Sequence, residues 1–222
     1  ANEFGMTDYT ALRTTMVDTQ VRPSDVTKYP VIEALLAVPR EVFVPRDSRH
    51  AAYVGEHIPL DKSRVVMDPR VLAKMLDGLD IQPDELVLDI GSGLGYSAAV
   101  IARLAEAVIA VEDDEARAEE AQGLLVEQGV DNAVVHCAAL TEGAPEHGPY
   151  DAILMQGGVE FVPDALTSQL KEGGRIATLF MEGALGTVRI GYKIDGEITW
   201  RYAFNAGAPV LPGFEKHHAF EL

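Results

Sequence analysis

The sequence predicts an α/β protein: a mostly parallel sheet covered on both faces, finished at one edge by an antiparallel hairpin and preceded by helices. Three observations predict it. From Leu86 onward, short and nearly continuous apolar runs alternate with helical segments, as expected of strands buried on both faces. The first run is closed by alternating glycines, Gly91, Gly93 and Gly95, and the second ends in an acid, Glu112. The last two strand-like stretches are joined by Asp195-Gly196, a pair suited to a two-residue hairpin turn.

The elements follow in order. Ala1-Asn2-Glu3-Phe4-Gly5 reads as a cloning remnant, with Met6 as the natural start. Thr7 to Gln20 is weakly helical and stops near Arg22-Pro23. Tyr29 to Val38 sets Val31, Ile32, Leu35, Leu36 and Val38 on one helix face, ended by Pro39. Pro45 and Pro59 break the chain into short pieces, and Val71 to Leu79 is helical, with Leu72, Met75, Leu76 and Leu79 on one side.

Leu86 to Ile90 is the first strand, Tyr96 to Ala105 an alanine-rich helix, and Val108 to Val111 the second strand. Asp114 to Gln128 is a polar-faced helix for which Asp113 or Asp114 can accept at the N-cap. Ala133 to Ala138 and Asp151 to Met155 are further strands, Pro163 to Leu170 is helical, and Gly173 to Phe180 is the fifth strand. Thr187 to Ile194 and Ile198 to Phe204 form the closing hairpin. The chain divides into a helical cap and active-site segment, residues 6–80, and a cofactor-binding core, residues 81–222, within one compact domain.

Composition narrows the partners. The 222 residues carry 35 Asp+Glu against 18 Lys+Arg, a net charge of −17. Such a surface repels phosphate backbones and anionic lipid at long range, so neither nucleic acid nor a membrane is expected as partner. It is compatible with a cationic cofactor. Cys137, the single cysteine, allows no internal disulfide, and its apolar neighbours predict a buried strand position. No apolar run approaches the ~20 residues of a membrane helix, and no signal-peptide pattern precedes the first helix. Together these predict a cytoplasmic protein.

The glycine loop lies after a strand and before a helix, where missing side chains let the backbone turn sharply and approach a ligand. In such sheets ligands bind at the carboxyl ends of the strands, which puts Asp89 to Gly95 and Glu112 at one rim. Glu112 can accept two hydrogen bonds from ribose hydroxyls. Dinucleotide enzymes space their glycines G-x-G-x-x-G; here the spacing is G-x-G-x-G, with Asp89 two positions before the first glycine. That acid would repel a pyrophosphate and tolerate the ammonium and sulfonium charges of S-adenosyl-L-methionine.

Leu88 to Val100, through Gly91-Ser92-Gly93-Leu94-Gly95, resembles the first motif of the protein-L-isoaspartate O-methyltransferase family. Met16 to Pro23, Val38 to Pro45, Pro149 to Ile153 and Leu170 to Arg175 are similar to further signatures of that family, so the resemblance covers roughly Met16 to Phe180. It implies a Rossmann-like seven-strand methyltransferase sheet and methyl transfer from S-adenosyl-L-methionine to a carboxylate of a damaged protein or peptide. By the same resemblance, Asp89, Gly91, Ser92, Gly93 and Gly95 surround the methionine part of the cofactor. Glu112 binds the ribose, and Asp113 lies beside the adenine with Ala139 and Leu140.

The sequence also departs from the family. Val65-Val66-Met67 stands where the family has a Thr-Ile-Ser-type active-site segment, so both hydroxyls are missing. Ala138-Ala139-Leu140 replaces a Gly-Asp-Gly, and Phe204 to Pro212 differs from a Phe-Val-Pro-Leu-type segment. The cofactor side is therefore retained and the acceptor side altered, which leaves three outcomes: the family's reaction, a different and unidentified small acceptor, or a silent cofactor-binding relative.

Among the remaining polar residues, His57 lies near the presumed active-site rim and is a candidate for meeting the acceptor. His217-His218 is read as surface or packing, because neighbouring strand residues point to opposite faces. His136 sits beside the third strand, and no metal site is expected.

Overall fold

The computed structural model describes residues 5–217; the first four residues of the proposed remnant at residues 1–5, and His218, lie outside them. Asp8 accepts from Ala11 N and starts α1, Tyr9–Met16, which runs into a π-turn, Val17–Val21, and a 3₁₀ turn, Arg22–Ser24, that contains Pro23. Helix α2 spans Tyr29–Ala37 and α3 Pro69–Leu79. Asp68 caps α3 by accepting from Arg70 N and Val71 N, and Asp80 ends it in the left-handed conformation, φ 50°. Between α2 and α3 lies a short antiparallel hairpin, β1 (Ile58–Pro59) and β2 (Val65–Val66), whose register pairs Ile58 with Val66.

The main sheet has seven strands. In chain order they are β3, Leu86–Ile90; β4, Ala107–Glu112; β5, Ala133–Cys137; β6, Tyr150–Val159; β7, Leu170–Glu182; β8, Leu185–Ile194; and β9, Glu197–Asn205. Their spatial order is β5-β4-β3-β6-β7-β8-β9. The first five neighbours are parallel, and β7, β8 and β9 form an antiparallel meander. Asp195 (φ 53°) and Gly196 (φ 78°) make the β8–β9 turn, both with the positive φ of a type I′ turn. Helices α4 (Tyr96–Ala102), α5 (Glu115–Glu127) and α6 (Asp164–Thr167) connect the strands. Asp114 caps α5 by accepting from Arg117 N.

Alternation along the strands divides the core. Val87, Val108, Ala110, Ala152, Leu154, Ala177 and Leu179 pack with α4 and with Met16, Leu35, Leu72 and Leu76 of the N-terminal helices. Leu88, Ile90, Ile109, Val111, Ile153, Met155 and Ile176 face the other way, against Leu140, Leu166, Leu211 and Phe214. The N-terminal helices thus share a core with the sheet. Among the described residues no helix is long and apolar enough to cross a membrane.

Several expectations change: the strand read as Asp151 to Met155 runs on to Val159, and the helix read as Pro163 to Leu170 is confined to Asp164–Thr167. Cys137 is exposed, not buried, because β5 is an edge strand and Cys137 is its last residue. The fifth strand begins earlier than Gly173, at Leu170, and runs to Glu182. On β9, Trp200 packs edge-on against Phe180 with ring centroids 4.8 Å apart, while Tyr202 is exposed. Phe204 pairs with Val188 and Tyr202 with Arg189, so Ala203 is one extra residue, a bulge on the outermost strand.

Candidate cofactor-binding site

The connections reverse direction between β3 and β6, so the sheet's switch point lies at the carboxyl end of β3. The glycine loop occupies it. Gly91, Gly93 and Gly95 have φ of 85°, 60° and 104°, values that side chains disfavour. Gly91 N and Ser92 N both donate to Val111 O of β4, and Gly95 opens α4.

Asp89 is fully buried beneath the loop. Ser97 Oγ donates to its Oδ2 at 2.6 Å and Gln156 Nε2 to its Oδ1 at 2.9 Å. Burial dominates these hydrogen bonds and pushes the carboxyl up to about 6. Gln156 was not singled out in the sequence. Its signal is a lone polar residue ending the apolar run Ile153-Leu154-Met155 at the same rim as Asp89.

Glu112, at the end of β4, has no solvent exposure. Its Oε1 accepts from Arg64 Nη2 at 2.6 Å and Gly93 N at 3.0 Å. Its Oε2 accepts from Arg64 Nη1 at 2.9 Å and Asp114 N at 2.9 Å. A carboxylate offers about four acceptor sites, so all of them are engaged. Burial pushes Glu112 up, but the Arg64 hydrogen bonds and charge outweigh it and hold the carboxyl below the ordinary range. Arg64 Nη1 also reaches Asp113 Oδ1 at 2.6 Å. Burial, with the neighbouring Glu112 next, pushes Asp113 up.

Arg64 was also missed. It lies in the polar string Asp61-Lys62-Ser63-Arg64, which reads as a solvated turn, yet it is 1% exposed. The turn is tight: Leu60 N and Asp61 N both donate to Arg64 O. Its tip is pinned to α5 by Arg117 Nη2 on Asp61 Oδ2 at 3.0 Å. The β1–β2 hairpin is therefore a strap across the glycine loop. A Cβ at Gly93 would lie 2.9 Å from Leu60 Cδ1, and one at Gly91 3.3 Å from Arg64 Nη2.

The other predicted positions sit around this strap. Val65, Val66 and Met67 are buried and line a cavity of about 10 Å³ with Gly91, Ser92, Tyr96 and Gln156. His57 is occupied structurally: its Nδ1 accepts from Asp68 N at 2.7 Å, and its Nε2 lies 2.7 Å from Gly207 O. Those partners fit the tautomer with the proton on Nε2. Ala138 N donates to Glu112 O, so Ala139, exposed, and Leu140, 1% exposed, follow directly from the end of β5 next to Glu112.

The donor set suits S-adenosyl-L-methionine. Bare main chain at three glycines, a carboxylate at Glu112 and a second at Asp89 face one rim, and Ser92 Oγ and Arg64 Nε are buried there without a hydrogen-bond partner. The space, however, is held by Arg64 and Leu60. Small-molecule sites measure roughly 300–1,000 Å³, against about 10 Å³ in the cavity beside Gly91 and Ser92. The donor chemistry fits the cofactor, and the Leu60–Arg64 turn lies across the glycine loop that would hold it.

One further cluster was not expected. His136 Nε2 lies 3.0 Å from Glu146 Oε1, and the His136 and His147 rings meet edge-on at 5.9 Å. His217 is exposed.

Known proteins resemble this chain in sequence and in fold. The family model described as Protein-L-isoaspartate(D-aspartate) O-methyltransferase matches residues 13–189. A protein-L-isoaspartate O-methyltransferase of Roseiflexus castenholzii is 37% identical over 169 residues, 76% of this chain and 77% of the relative. One of Opitutus terrae is 38% identical over 161 residues, 72% of this chain and 69% of the relative. A solved protein-L-isoaspartate O-methyltransferase shares the fold with a TM-score of 0.77 at 24% identity, over 91% of this chain and 65% of that one. A Plasmodium falciparum β-aspartate methyltransferase, solved in complex with S-adenosyl-L-homocysteine, has a TM-score of 0.76 at 18% identity, over 93% of this chain and 99% of that one.

Proposed function

This chain belongs to the protein-L-isoaspartate(D-aspartate) O-methyltransferase family, and from that premise we propose that it is an S-adenosyl-L-methionine-dependent O-methyltransferase acting in the cytoplasm on a carboxylate of damaged protein or peptide. The observation that carries the reading is one rim that joins the glycine loop at Gly91–Gly95, the buried Asp89 beneath it and Glu112 on the neighbouring strand.

When bound, the cofactor supplies a methyl group made electrophilic by its sulfonium. The main chain at Gly91, Ser92, Gly93 and Gly95, with Asp89, would hold the methionine part. Glu112 would hold the ribose, and Asp113, Ala139 and Leu140 would flank the adenine. A carboxylate acceptor is already anionic near neutral pH, so no general base is required of this chain. Its residues contribute alignment and exclusion of water, effects that reach roughly 7–11 kcal/mol in favourable cases. Val65, Val66 and Met67 give the acceptor side an apolar wall.

The test is calorimetry with S-adenosyl-L-homocysteine, followed by methyl transfer to an isoaspartyl peptide beside its aspartyl counterpart. Binding and selective transfer are expected. Absence of binding by the protein and by strap-opened variants rejects the reading, and equal background on the two peptides rejects the isoaspartyl acceptor. The missing hydroxyls at Val65 and Met67 favour one second reading, a binding relative with another acceptor or none. Cofactor binding without transfer to either peptide would select it.

A further inference from the structure

We propose that Arg64 is the residue that decides whether the cofactor site is open: its guanidinium takes the acceptor positions on Glu112 that a ribose would use, and the Leu60–Arg64 turn must leave before a nucleoside enters. The inference rests on the cofactor site proposed above and adds how that site is controlled. Four features carry it. Arg64 and Glu112 are both buried and joined by two hydrogen bonds. The main chain at Gly93 and Asp114 fills the other two acceptor sites of Glu112, so a diol gains nothing there while Arg64 stays. Leu60 and Arg64 lie against the faces of Gly93 and Gly91 that the missing side chains leave free. The outer end of the turn is tied to α5 by Asp61 on Arg117, with Asp61 45% exposed, so the strap has a buried bolt and a solvated clasp.

Ligand affinity in such a system is reduced by the fraction of molecules that are open. Loosening the bolt must tighten binding, the reverse of what a residue that contacts the ligand does. The experiment is calorimetric titration of the full chain with S-adenosyl-L-homocysteine, for the parent, Arg64→Ala, Arg64→Lys and Asp61→Ala. Arg64→Ala is expected to bind roughly tenfold or more tighter than the parent. Arg64→Lys keeps a charge without the two-armed fork and should fall between them. Asp61→Ala removes the tie to Arg117 together with the hydrogen bonds that Asp61 Oδ1 accepts from Ser63 N and Ser63 Oγ in the same turn, leaves the Arg64–Glu112 pair in place, and should show a smaller gain. If Arg64→Ala unfolds, Arg64→Lys and Asp61→Ala still decide the matter. Equal or weaker binding by the variants overturns the control by Arg64 while the cofactor site stands. No binding by any of the four proteins overturns the cofactor site itself, and the control with it.

A separate observation points to a metal site. The ligand atoms of His136, Glu146 and His147 all lie within 4.8 Å of one another. Two imidazoles and a carboxylate form a donor set used for zinc, with the remaining position open to water. His136 is held on β5, and Glu146 and His147 share the 3₁₀ turn Pro145–His147. We infer that this cluster binds a divalent transition metal. Titrating zinc chloride into the full chain should give one site per molecule, lost in His147→Ala and kept when His217 and His218 are both replaced by alanine. No heat, or heat unchanged in His147→Ala, overturns it.

Discussion

Arg64 and Glu112 form a two-armed ion pair in which neither side chain is more than 1% exposed, and it joins the strap to the sheet. Removing Glu112 leaves the buried Arg64 with Asp113 as its remaining ion partner, a loss of up to about 3–5 kcal/mol. Glu112→Ala should therefore lower the melting temperature by several degrees, at roughly 2–4 °C per kcal/mol for a chain of this size. Replacing both partners leaves no stranded charge, so Glu112→Ala with Arg64→Met should be more stable than Glu112→Ala alone. Thermal unfolding of the parent, Glu112→Ala, Arg64→Met and the double variant decides it, and simple additivity would count against the coupling.

Asp89 supplies a pH signature. Its folded value of about 6 lies above the ordinary 3.8. Between those two pH values the folded protein holds a proton that the unfolded chain has released. This contribution is most favourable below the unfolded value and is lost as pH rises through about 6. The full loss is on the order of 2–3 kcal/mol. Asn at this position keeps an acceptor for Gln156 and a donor toward Ser97 without charging. Asp89→Asn should match the parent in urea unfolding near pH 4 and exceed it at pH 7.5. A gap that does not widen with pH would refute the assignment.

Arg175 clamps three elements. It meets Glu85 Oε1 and Oε2 at 2.8 and 2.7 Å and donates to Leu79 O and Asp80 O at the end of α3. Arg175→Ala should cost about 2–4 kcal/mol, read by denaturant unfolding at neutral pH. The Arg175 hydrogen bonds, opposed by burial, hold Glu85 below its ordinary range. Its share of stability is thus present above the unfolded value and lost as pH falls through the folded one. The parent's advantage over Arg175→Ala should shrink in acid; a constant advantage would show that Glu85 is not the partner that matters.

Gly93 and Gly129 separate backbone strain from crowding. Both have positive φ, 60° and 71°, but a Cβ at Gly93 meets Leu60 whereas one at Gly129 meets nothing within 4 Å. Gly129→Ala should cost about 1–2 kcal/mol from conformation alone, and Gly93→Ala more. The excess should shrink in a Leu60→Ala background. If it persists there, Leu60 is not what fills the loop.

The sheet was legible because its strands are buried on two faces and so are written as continuous apolar runs: Leu86 to Ile90 is the strand as read. The Asp195-Gly196 turn was legible for a local reason, since that dipeptide accepts positive φ at both positions. The glycine loop and Glu112 followed from their order along the chain, and the family model spans residues 13–189, which include both. The strap was not legible. A pairing between positions 64 and 112 is set by tertiary packing, and a buried arginine in a polar turn looks like any solvated one until its partner is placed. Cys137 was misread for a related reason: an apolar strand sequence does not say that the strand lies at the margin of the sheet.

The extra residue at Ala203 bears on how molecules of this protein meet each other. An outermost strand exposes a row of unpaired amides and carbonyls that could template the same strand of a neighbour. A bulge there bends and twists the strand, so the row cannot lie flat against a copy of itself. Deleting Ala203 would restore the flat ribbon, and the shortened protein should form fibrils or precipitate at concentrations where the parent stays in solution.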